Sequence, residues 1–259
     1  SAIVMKNHSL RIDKLLSGNG FGSRRDIKRL LHSCSLTING AVCADAATRV
    51  DPLSDRIEID GEPVVLREFH YLMLNKPSGV ITSTRDPDHA TVMDLLSPPW
   101  SRMELFPVGR LDVDTEGLIL LTDDGPLGHR LTSPKTGVDK TYYVRLRDQL
   151  DDDLFEQYRR TFETGVSFKD GYQCLPARLA RAPGGNGEVL LTIQEGKYHQ
   201  VKKMFKAVGN EVAFLKRVSM GPLILDPLLE SGQWRELAEN EIAALKNASA
   251  CNGESENDR

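Results

Sequence analysis

The chain has 259 residues, of which 40% are hydrophobic and 27% charged, and its formal net charge is −4. This composition is ordinary for a folded globular protein and excludes a globally disordered chain. The length allows one large domain or two smaller ones. A small negative charge, taken alone, argues against a nucleic-acid partner.

The charge is distributed unevenly along the chain. Residues 148–163 and 226–259 carry net charges of −4 and −5, whereas residues 11–29 and 195–217 each carry +4. Electrostatic fields reach about 8–10 Å at physiological salt, so a polyanion responds to the local basic segments more than to the total. A nucleic-acid partner is therefore allowed, and we expect the acidic helix predicted at 151–162 to face away from it.

The N-terminal region predicts a compact unit of two short helices and a few strands. Residues 11–16 are amphipathic, glycines at 18, 20 and 22 interrupt that helix, and Ser23 with Asp26 forms a capping-box pattern at the start of the next. Apolar residues of this second helix recur on one stripe, and its basic residues lie toward solvent. An exposed basic helix is most often only a solvated face.

This unit nevertheless resembles the S4 RNA-binding module. The resemblance rests on Arg11-Ile12-Asp13-Lys14-Leu15-Leu16, Ser23-Arg24-Arg25 and Leu36-Thr37-Ile38-Asn39-Gly40. It implies that residues 9–67 form an S4 domain whose basic face binds structured RNA through its phosphates and shape. The residues implied to bind RNA are Arg11, Lys14, Arg24, Arg25, Lys28 and Arg29.

The remainder of the chain predicts a second, larger domain over residues 68–246. Its predicted strands outnumber its helices and do not alternate with them strictly, which indicates an α+β fold with a mixed or antiparallel sheet. The predicted strands are 117–122, 140–146, 188–193, 211–217 and 223–225, and the predicted helices are 91–96, 151–162, 198–208 and 239–245. Residues 247–259 are predicted to be a polar, disordered tail.

Asp112 and Asp114 lie in the polar loop 109–117, just before an apolar strand. Such a loop holds a side chain rigidly beside a cavity, which makes Asp112 a candidate site residue. Alternatively, Asp112 only caps the loop or pairs with Arg110, or it binds a divalent ion together with Asp114. The metal interpretation is weakened because no further cluster of acids or histidines supplies the remaining ligands.

Two other segments carry candidate site residues. In the helix predicted at 198–208, His199, Lys202, Lys203 and Lys206 share one face by the i, i+3, i+4, i+7 rule. A lysine brought near Asp112 would keep that carboxylate ionised. In the strand predicted at 140–146, alternation places Tyr142 on the buried face, where it is either a core residue or a ring on which a flipped base can stack.

Together these segments resemble the ribosomal RNA pseudouridine synthases that carry an N-terminal S4 module (the RsuA family). The matching motifs are Leu74-Asn75-Lys76-Pro77, Gly109-Arg110-Leu111-Asp112 with Thr115 and Gly117, Lys140-Thr141-Tyr142, and Glu195-Gly196-Lys197-Tyr198-His199-Gln200-Val201-Lys202. The resemblance implies that Asp112 is catalytic, that Tyr142 stacks on the target uracil and that Lys202 pairs with Asp112. It also implies that Arg110 displaces the target nucleotide and that Leu215 packs beneath the tyrosine.

The implied reaction detaches uracil from C1′ at N1, turns it and rejoins it through C5. It requires neither a cofactor nor a metal, and it is compatible both with covalent attack by Asp112 and with a glycal route. Tyr142 is a candidate base for the C5 proton. Residues 122–125 and 129–134 resemble the enzyme of the small ribosomal subunit, so the implied substrate is 16S rRNA in a small-subunit assembly intermediate. Large-subunit rRNA is the alternative.

The sequence also predicts where the protein acts. No apolar run approaches the length of a membrane span, no secretory pattern is present, and the four cysteines lack metal-binding spacing, so we expect a cytoplasmic monomer with free thiols. Two rival functions are a non-catalytic S4-type RNA-binding or assembly protein and a metal-dependent sugar or phosphoryl transferase using Asp112 and Asp114.

Overall fold

The structure, a computed structural model, describes residues 8–250. The chain divides into two compact units. The N-terminal unit contains the residues up to His70 together with Leu96–Phe106, and the second unit contains Tyr71–Leu95 and the residues from Pro107 onward. The segment Leu96–Phe106 therefore groups with the N-terminal unit, whereas the sequence places it inside the larger domain.

The N-terminal unit contains two helices and six short strands around one apolar core. The helices are α1 (Ile12–Gly18) and α2 (Arg24–Ser33), and the strands are β1 (Leu10–Arg11), β2 (Leu36–Ile38), β3 (Ala41–Val42), β4 (Arg49–Val50), β5 (Ile57–Ile59) and β6 (Glu62–Pro63). Strands β3-β2-β5-β6 form an antiparallel sheet, and β1 pairs with β4. Ile12, Leu16 and Ile27 are fully buried and join the two helices through this core.

The predicted capping box is confirmed. The Ser23 hydroxyl accepts a hydrogen bond from the Asp26 amide, and the Asp26 carboxylate accepts one from the Ser23 amide. The start of the first helix differs from the prediction, because Arg11 is extended and pairs with Arg49 in a short strand. Helix α1 therefore begins at Ile12, and Arg11 lies outside it.

The second unit is built on a large mixed sheet. Its strands are β7 (Tyr71–Lys76), β9 (Glu116–Thr122), β10 (Lys140–Leu146), β11 (Arg178–Arg181), β12 (Glu188–Ile193), β13 (Val212–Met220), β14 (Leu223–Ile224) and β15 (Trp234–Glu236), with the short strand β8 (Phe106–Pro107) between β7 and β9 in the chain. The main path runs β11-β12-β10-β13-β9-β7-β15, and of these pairs only β13 with β9 is parallel. The predicted mixed helix-and-strand fold is confirmed.

Four helices accompany this sheet. They are α3 (Gly125–Thr132), α4 (Asp152–Thr164), α5 (Gln200–Ala207) and α6 (Glu239–Ala250). Within the described residues the 3-10 helices are Val92–Leu95, Trp100–Arg102 and Pro134–Thr136. Helix α3 and strands β11 and β15 were not predicted. Helix α6 runs on to Ala250, so residues 247–250 are helical where a disordered tail is predicted, and the rest of that tail lies outside the described residues. None of the helices in 8–250 is long and apolar enough to cross a membrane.

The parallel junction of β9 and β13 requires a glycine. Gly117 has a φ of +105°, and a Cβ atom there would lie 2.2 Å from the carbonyl oxygen of Arg217. No other residue fits this conformation and this close approach together. The junction fixes where β9 begins, and so it fixes the end of the polar loop that carries Asp112.

Candidate active site

An open cleft of about 60 Å³ lies in the second unit, where the loop before β9 meets the start of α5. It brings together all five residues implied to bind or transform the substrate, although they are far apart in the sequence. Those five residues are Arg110, Asp112, Tyr142, Lys202 and Leu215. The cleft is also lined by His199 and Thr115.

A lysine contacts both Asp112 and Asp114 of the loop. Lys202 Nζ is 3.3 Å from Asp112 Oδ2, and it donates hydrogen bonds to both carboxylate oxygens of Asp114 at 2.7 and 3.0 Å. The predicted pairing of Lys202 with Asp112 is therefore present as an ion pair, but the shorter contact is to Asp114, which the sequence suggested only as a metal ligand in the alternative interpretation. The side chain of Asp114 is 62% exposed, whereas that of Asp112 is 26% exposed and turned into the cleft.

The pKa shifts reflect this arrangement. The hydrogen bond from Lys202 lowers the pKa of Asp114, against the opposing effect of partial burial. Burial alone would lower the pKa of Lys202, but the hydrogen bond with Asp114 and the charge of Asp112 raise it above its ordinary value. A positive charge next to a carboxylate stabilises the ionised form of both partners. Lys202 therefore carries its positive charge beside Asp112 at neutral pH.

The floor of the cleft is apolar. Tyr142 and Leu215 belong to one buried cluster and are only 8% and 6% exposed. Strands β10 and β13 pair Val144 with Leu215 and Tyr142 with Arg217, which makes Leu215 the diagonal neighbour of the tyrosine. Side chains in this relation are close enough to touch when one of them is aromatic. Arg110, by contrast, is exposed where it lines the cleft.

His199 approaches Asp112 from the start of α5. Its Nε2 atom is 3.5 Å from Asp112 Oδ1. The residue has a φ of +52° and a ψ of +33°, so it takes the left-handed conformation that non-glycine residues adopt rarely. The predicted start of this helix at Tyr198 is therefore wrong, because the left-handed turn at His199 delays the first helical residue to Gln200.

A buried lysine holds the loop that carries Asp112. The side chain of Lys76 is inaccessible to solvent, and its ammonium donates hydrogen bonds to the carbonyls of Pro77, Val113 and Thr115 at 2.9, 3.1 and 2.8 Å. Burial lowers the pKa of Lys76 to about 8, against the opposing effect of nearby carboxylates, chiefly those of Asp114 and Glu116. The family resemblance included Lys76 in a motif but assigned it no role. The feature of the sequence that could have indicated this role is a lysine at the end of an apolar strand.

Backbone contacts complete the support of this loop. The amide of Gly79 donates to the carbonyl of Val113 at 2.8 Å, and the amide of Thr115 donates to the carbonyl of Asp112 at 3.0 Å. Thr115 is 2% exposed, and its hydroxyl has no hydrogen-bond partner within the described part of the chain. Sequence reasoning assigned Thr115 to a motif but did not identify it as a cleft residue.

The chemistry of a divalent metal site fits the loop poorly. The Lys202 ammonium bridges Asp112 and Asp114 and occupies the position that a cation shared by the two carboxylates would take. Between residues 8 and 250, no group of three or more His, Cys, Asp and Glu side chains is arranged to hold a metal ion. Of the four cysteines, Cys34, Cys43 and Cys174 are free thiols, and Cys251 lies outside the described residues.

The N-terminal unit carries a separate basic surface. Arg11, Arg24, Arg25 and Lys28 line a depression of about 260 Å³, at which Asp13 pairs with Arg11 at 2.8 Å. The hydrogen bond from Arg11 lowers the pKa of Asp13, against the opposing effect of burial. Lys14 and Arg29 are exposed but do not line this depression. The structure thus groups four of the six residues implied to bind RNA.

Comparison with known proteins identifies the family. A family model described as RNA pseudouridylate synthase matches residues 70–207. The uncharacterized RNA pseudouridine synthase YtzG of Bacillus subtilis is 48% identical over 93% of this chain and 100% of its own length. The ribosomal small subunit pseudouridine synthase A of Escherichia coli K12 is 39% identical over 91% of this chain and 100% of its own.

A solved structure agrees with these relatives. A crystal structure described as a pseudouridylate synthase is 36% identical, has a TM-score of 0.63, and covers 91% of this chain and 99% of its own. The chain belongs to the RNA pseudouridylate synthase family. It is an isomerase, as the resemblance implied.

Proposed function

We propose that this protein converts one specific uridine of 16S ribosomal RNA to pseudouridine, with Asp112 as the catalytic carboxylate. The observation that carries the proposal is the environment of Asp112 in the cleft. Its carboxylate lies 3.3 Å from the ammonium of Lys202, in a cleft whose floor is formed by the buried Tyr142 and Leu215. A carboxylate beside a cation thus lies next to an apolar surface on which a nucleobase can stack.

The reaction needs the target nucleotide outside its helix, because C1′ is inaccessible within a stacked strand. In this proposal Tyr142 stacks on the extruded uracil, Leu215 supports the tyrosine, and Arg110 at the rim takes part in displacing the nucleotide. Asp112 then acts at the ribose by one of two routes. In the covalent route its carboxylate bonds to C1′ as the N1–C1′ bond breaks, and the later attack of C5 on C1′ displaces the carboxylate. In the glycal route Asp112 takes the C2′ proton as the N1–C1′ bond breaks and returns it to C2′ when C5 bonds to C1′. The N1–C1′ bond breaks, the uracil turns, and a C5–C1′ bond forms.

The proton balance closes within the base. C5 loses a proton after the new bond forms, and N1, which has lost its bond to C1′, gains one. No electron is transferred and no group is imported. Lys202 holds the Asp112 carboxylate in position through its ion pair, and Asp114 anchors the same ammonium. Tyr142 is the residue we propose to receive the C5 proton.

The N-terminal unit supplies RNA affinity in this proposal. We assign residues 9–67 to an S4 domain and 68–246 to the catalytic domain, with Arg11, Arg24, Arg25 and Lys28 of the basic depression contacting phosphates. Lys14 and Arg29 extend the same surface. The partner is ribosomal RNA within a small-subunit assembly intermediate, and the protein acts as a cytoplasmic monomer.

The choice of the small subunit is supported by relatives rather than by geometry. Ribosomal small subunit pseudouridine synthases A of Yersinia pestis and Escherichia coli are 41% and 39% identical to this chain over 91% of its length. Residues 122–125 and 129–134 point the same way. Large-subunit rRNA is the second candidate substrate.

One experiment tests the activity and the target together. The full-length protein is incubated with 16S and 23S transcripts, and with small- and large-subunit assembly particles, in the presence of EDTA, and pseudouridine is then mapped. We expect modification of one uridine in 16S rRNA, unaffected by EDTA. Modification of 23S rRNA alone would move the target to the large subunit, and absence of pseudouridine from every substrate would overturn the proposal. A reaction that proceeds only when a divalent ion is present would favour the metal-dependent transferase.

A further inference from the structure

A second surface of the catalytic unit begins at the cleft and continues away from it. His199 lies beside Asp112, and the ring of Tyr198 stacks on the ring of His199 with centroids 3.8 Å apart and an interplanar angle of 19°. Two adjacent residues in an extended strand would point to opposite sides, and the left-handed turn at His199 brings the rings face to face. The stack therefore runs outward from Asp112 to Tyr198.

Tyr198 ends this stack in solvent. It is 73% exposed, which makes it one of the most exposed large hydrophobic residues of the described chain. An exposed aromatic ring gains little stability from burial, so its placement is not explained by the packing of the core. The ring presents a flat surface, next to the catalytic cleft, on which a further planar group can stack.

A basic groove begins beside Tyr198. The ammonium of Lys203 lies 5.5 Å from the ring centroid of Tyr198 and 5.7 Å from that of Phe168, so it stands near both rings. Phe168, Lys203 and Lys206 line a groove of about 440 Å³. Lys169 and one acid, Asp170, also line it, which leaves an excess of positive charge.

Helix α5 divides its lysines between the two sites. Successive residues of a helix point about 100° apart, and residues three apart share a side. Lys202 therefore faces Asp112 and Asp114 in the cleft, whereas Lys203 and Lys206 face the groove. The prediction that His199, Lys202, Lys203 and Lys206 share one face is wrong, because Lys202 contacts the carboxylates whereas Lys203 and Lys206 line the groove.

We propose that this groove holds the single-stranded RNA next to the target uridine, with a neighbouring base stacked on Tyr198 and its phosphates on Lys203 and Lys206. The inference rests on the proposed function, because it extends the substrate of the same cleft. Aromatic rings interleaved with lysines are the usual chemistry of single-stranded nucleic-acid sites, since every base has a stacking face and every link has a phosphate. A strand opened by extrusion of the target nucleotide supplies both groups at this position.

The test compares Tyr198→Ala with Tyr198→Trp in the full-length protein. Two quantities are measured: KM and kcat for pseudouridine formation in 16S rRNA, and the dissociation constant of a fluorescent oligouridylate, which needs no turnover. We expect Tyr198→Ala to raise both KM and the dissociation constant about tenfold, with kcat within about twofold, because one base loses its stacking partner. Tyr198→Trp should restore both.

The lysines give a second, independent readout. Replacing Lys203 and Lys206 by glutamine should make the slope of log affinity against log salt shallower by about 1.4, since a single strand releases roughly 0.7 counterions per phosphate contact. Lys135→Gln, an exposed lysine of a 3-10 helix, is the matched control and should leave the slope unchanged.

The outcomes separate this inference from the proposed function. If the wild type forms pseudouridine but Tyr198→Ala changes neither KM nor oligouridylate affinity, the groove is wrong and the function stands. A fall in kcat alone would assign Tyr198 to holding His199 and would also overturn the groove. If the wild type forms no pseudouridine but Tyr198→Ala still weakens oligouridylate binding, the proposed function is wrong. The groove then stands as a single-stranded RNA site, and its place beside a target uridine falls with the function.

Discussion

The catalytic cleft and the basic depression of the N-terminal unit differ in how their positive charges are compensated. In the catalytic unit the Lys202 ammonium lies between Asp112 and Asp114, within 3.3 Å of both carboxylates. In the N-terminal unit, Asp13 pairs with Arg11. Arg24, Arg25 and Lys28 are exposed beside that pair.

This difference indicates two different roles for the cations, namely positioning of neighbouring groups in the cleft and attraction of RNA on the N-terminal surface. A cation held by carboxylates contributes little long-range attraction, but it fixes the position and ionisation of its partners. An exposed cation attracts polyanions over the Debye length, and its contribution declines as salt rises. Changes in the cleft should therefore act on kcat, and changes on the N-terminal surface should act on affinity and its salt dependence.

The largest effect is expected at Asp112. Asp112→Asn removes the carboxylate while keeping the shape, so we expect kcat for pseudouridine formation to fall by at least about 10³-fold. Affinity for 16S rRNA should stay within about twofold of wild type. Pseudouridine mapping and filter binding measure the two quantities. Full activity in this variant would overturn the mechanism and leave the identity of the isomerase intact.

The second effect tests the N-terminal surface. Reversing Arg24, Arg25 and Lys28 to glutamate should weaken RNA binding about 100-fold at low salt and make the salt slope shallower by about 2.7, at roughly 0.9 per duplex phosphate contact. kcat at saturating RNA should not change. Arg160→Glu on the acidic helix α4 is the control, and its slope should match wild type. An unchanged slope in the triple variant would contradict the assignment of this surface to RNA.

Local patterns in the sequence predicted much of the fold. Strands β10 and β12 have the predicted bounds, because alternating side chains define a strand over six or seven residues. The capping box was equally local, since Ser23 and Asp26 are three residues apart. The start of α5 was not predictable in this way. Helical periodicity continues through His199, and only the folded loop shows that this residue leaves the helix.

The candidate site was also predictable only where the signal was local. Motifs in the sequence named Asp112, Tyr142 and Lys202. The roles of these residues came from the family resemblance, and their contacts were visible only in the folded structure. The contact of Lys202 with Asp114 joins residues 88 positions apart, so no spacing rule predicts it. Lys76 was missed for a related reason. A lysine at the end of an apolar strand usually reaches solvent, whereas this one is buried against three carbonyls.

Lys76 is a third kind of cation, one that is buried and hydrogen-bonded to three backbone carbonyls. Lys76→Met should lower the free energy of unfolding by about 1–3 kcal/mol at pH 7, because the carbonyls of Pro77, Val113 and Thr115 lose their donor. Urea unfolding measures this, and Lys135→Met at an exposed position is the control, with no loss expected.

The difference in unfolding free energy between the wild type and Lys76→Met should also change with pH, and the direction of the change follows from the pKa of Lys76. The pKa of Lys76 is lowered from 10.5 to about 8, so between these values the native state binds fewer protons than the unfolded chain. The unfolding free energy of the wild type should therefore rise relative to Lys76→Met as pH increases from 8 to 10.5. A difference that stays constant or shrinks over this range would contradict burial of the ammonium.

The smallest effect is expected at Asp114, the other carboxylate that contacts Lys202. Its side chain is 62% exposed, and exposed ion pairs are typically worth about 0.2–1 kcal/mol. Asp114→Asn should therefore lower kcat/KM only about threefold, because Lys202 keeps its contact with Asp112. A matched comparison with Asp112→Asn uses the same assay and the same isosteric change. If both variants lost activity equally, the two carboxylates would act as a unit, and the assignment of catalysis to Asp112 alone would be wrong.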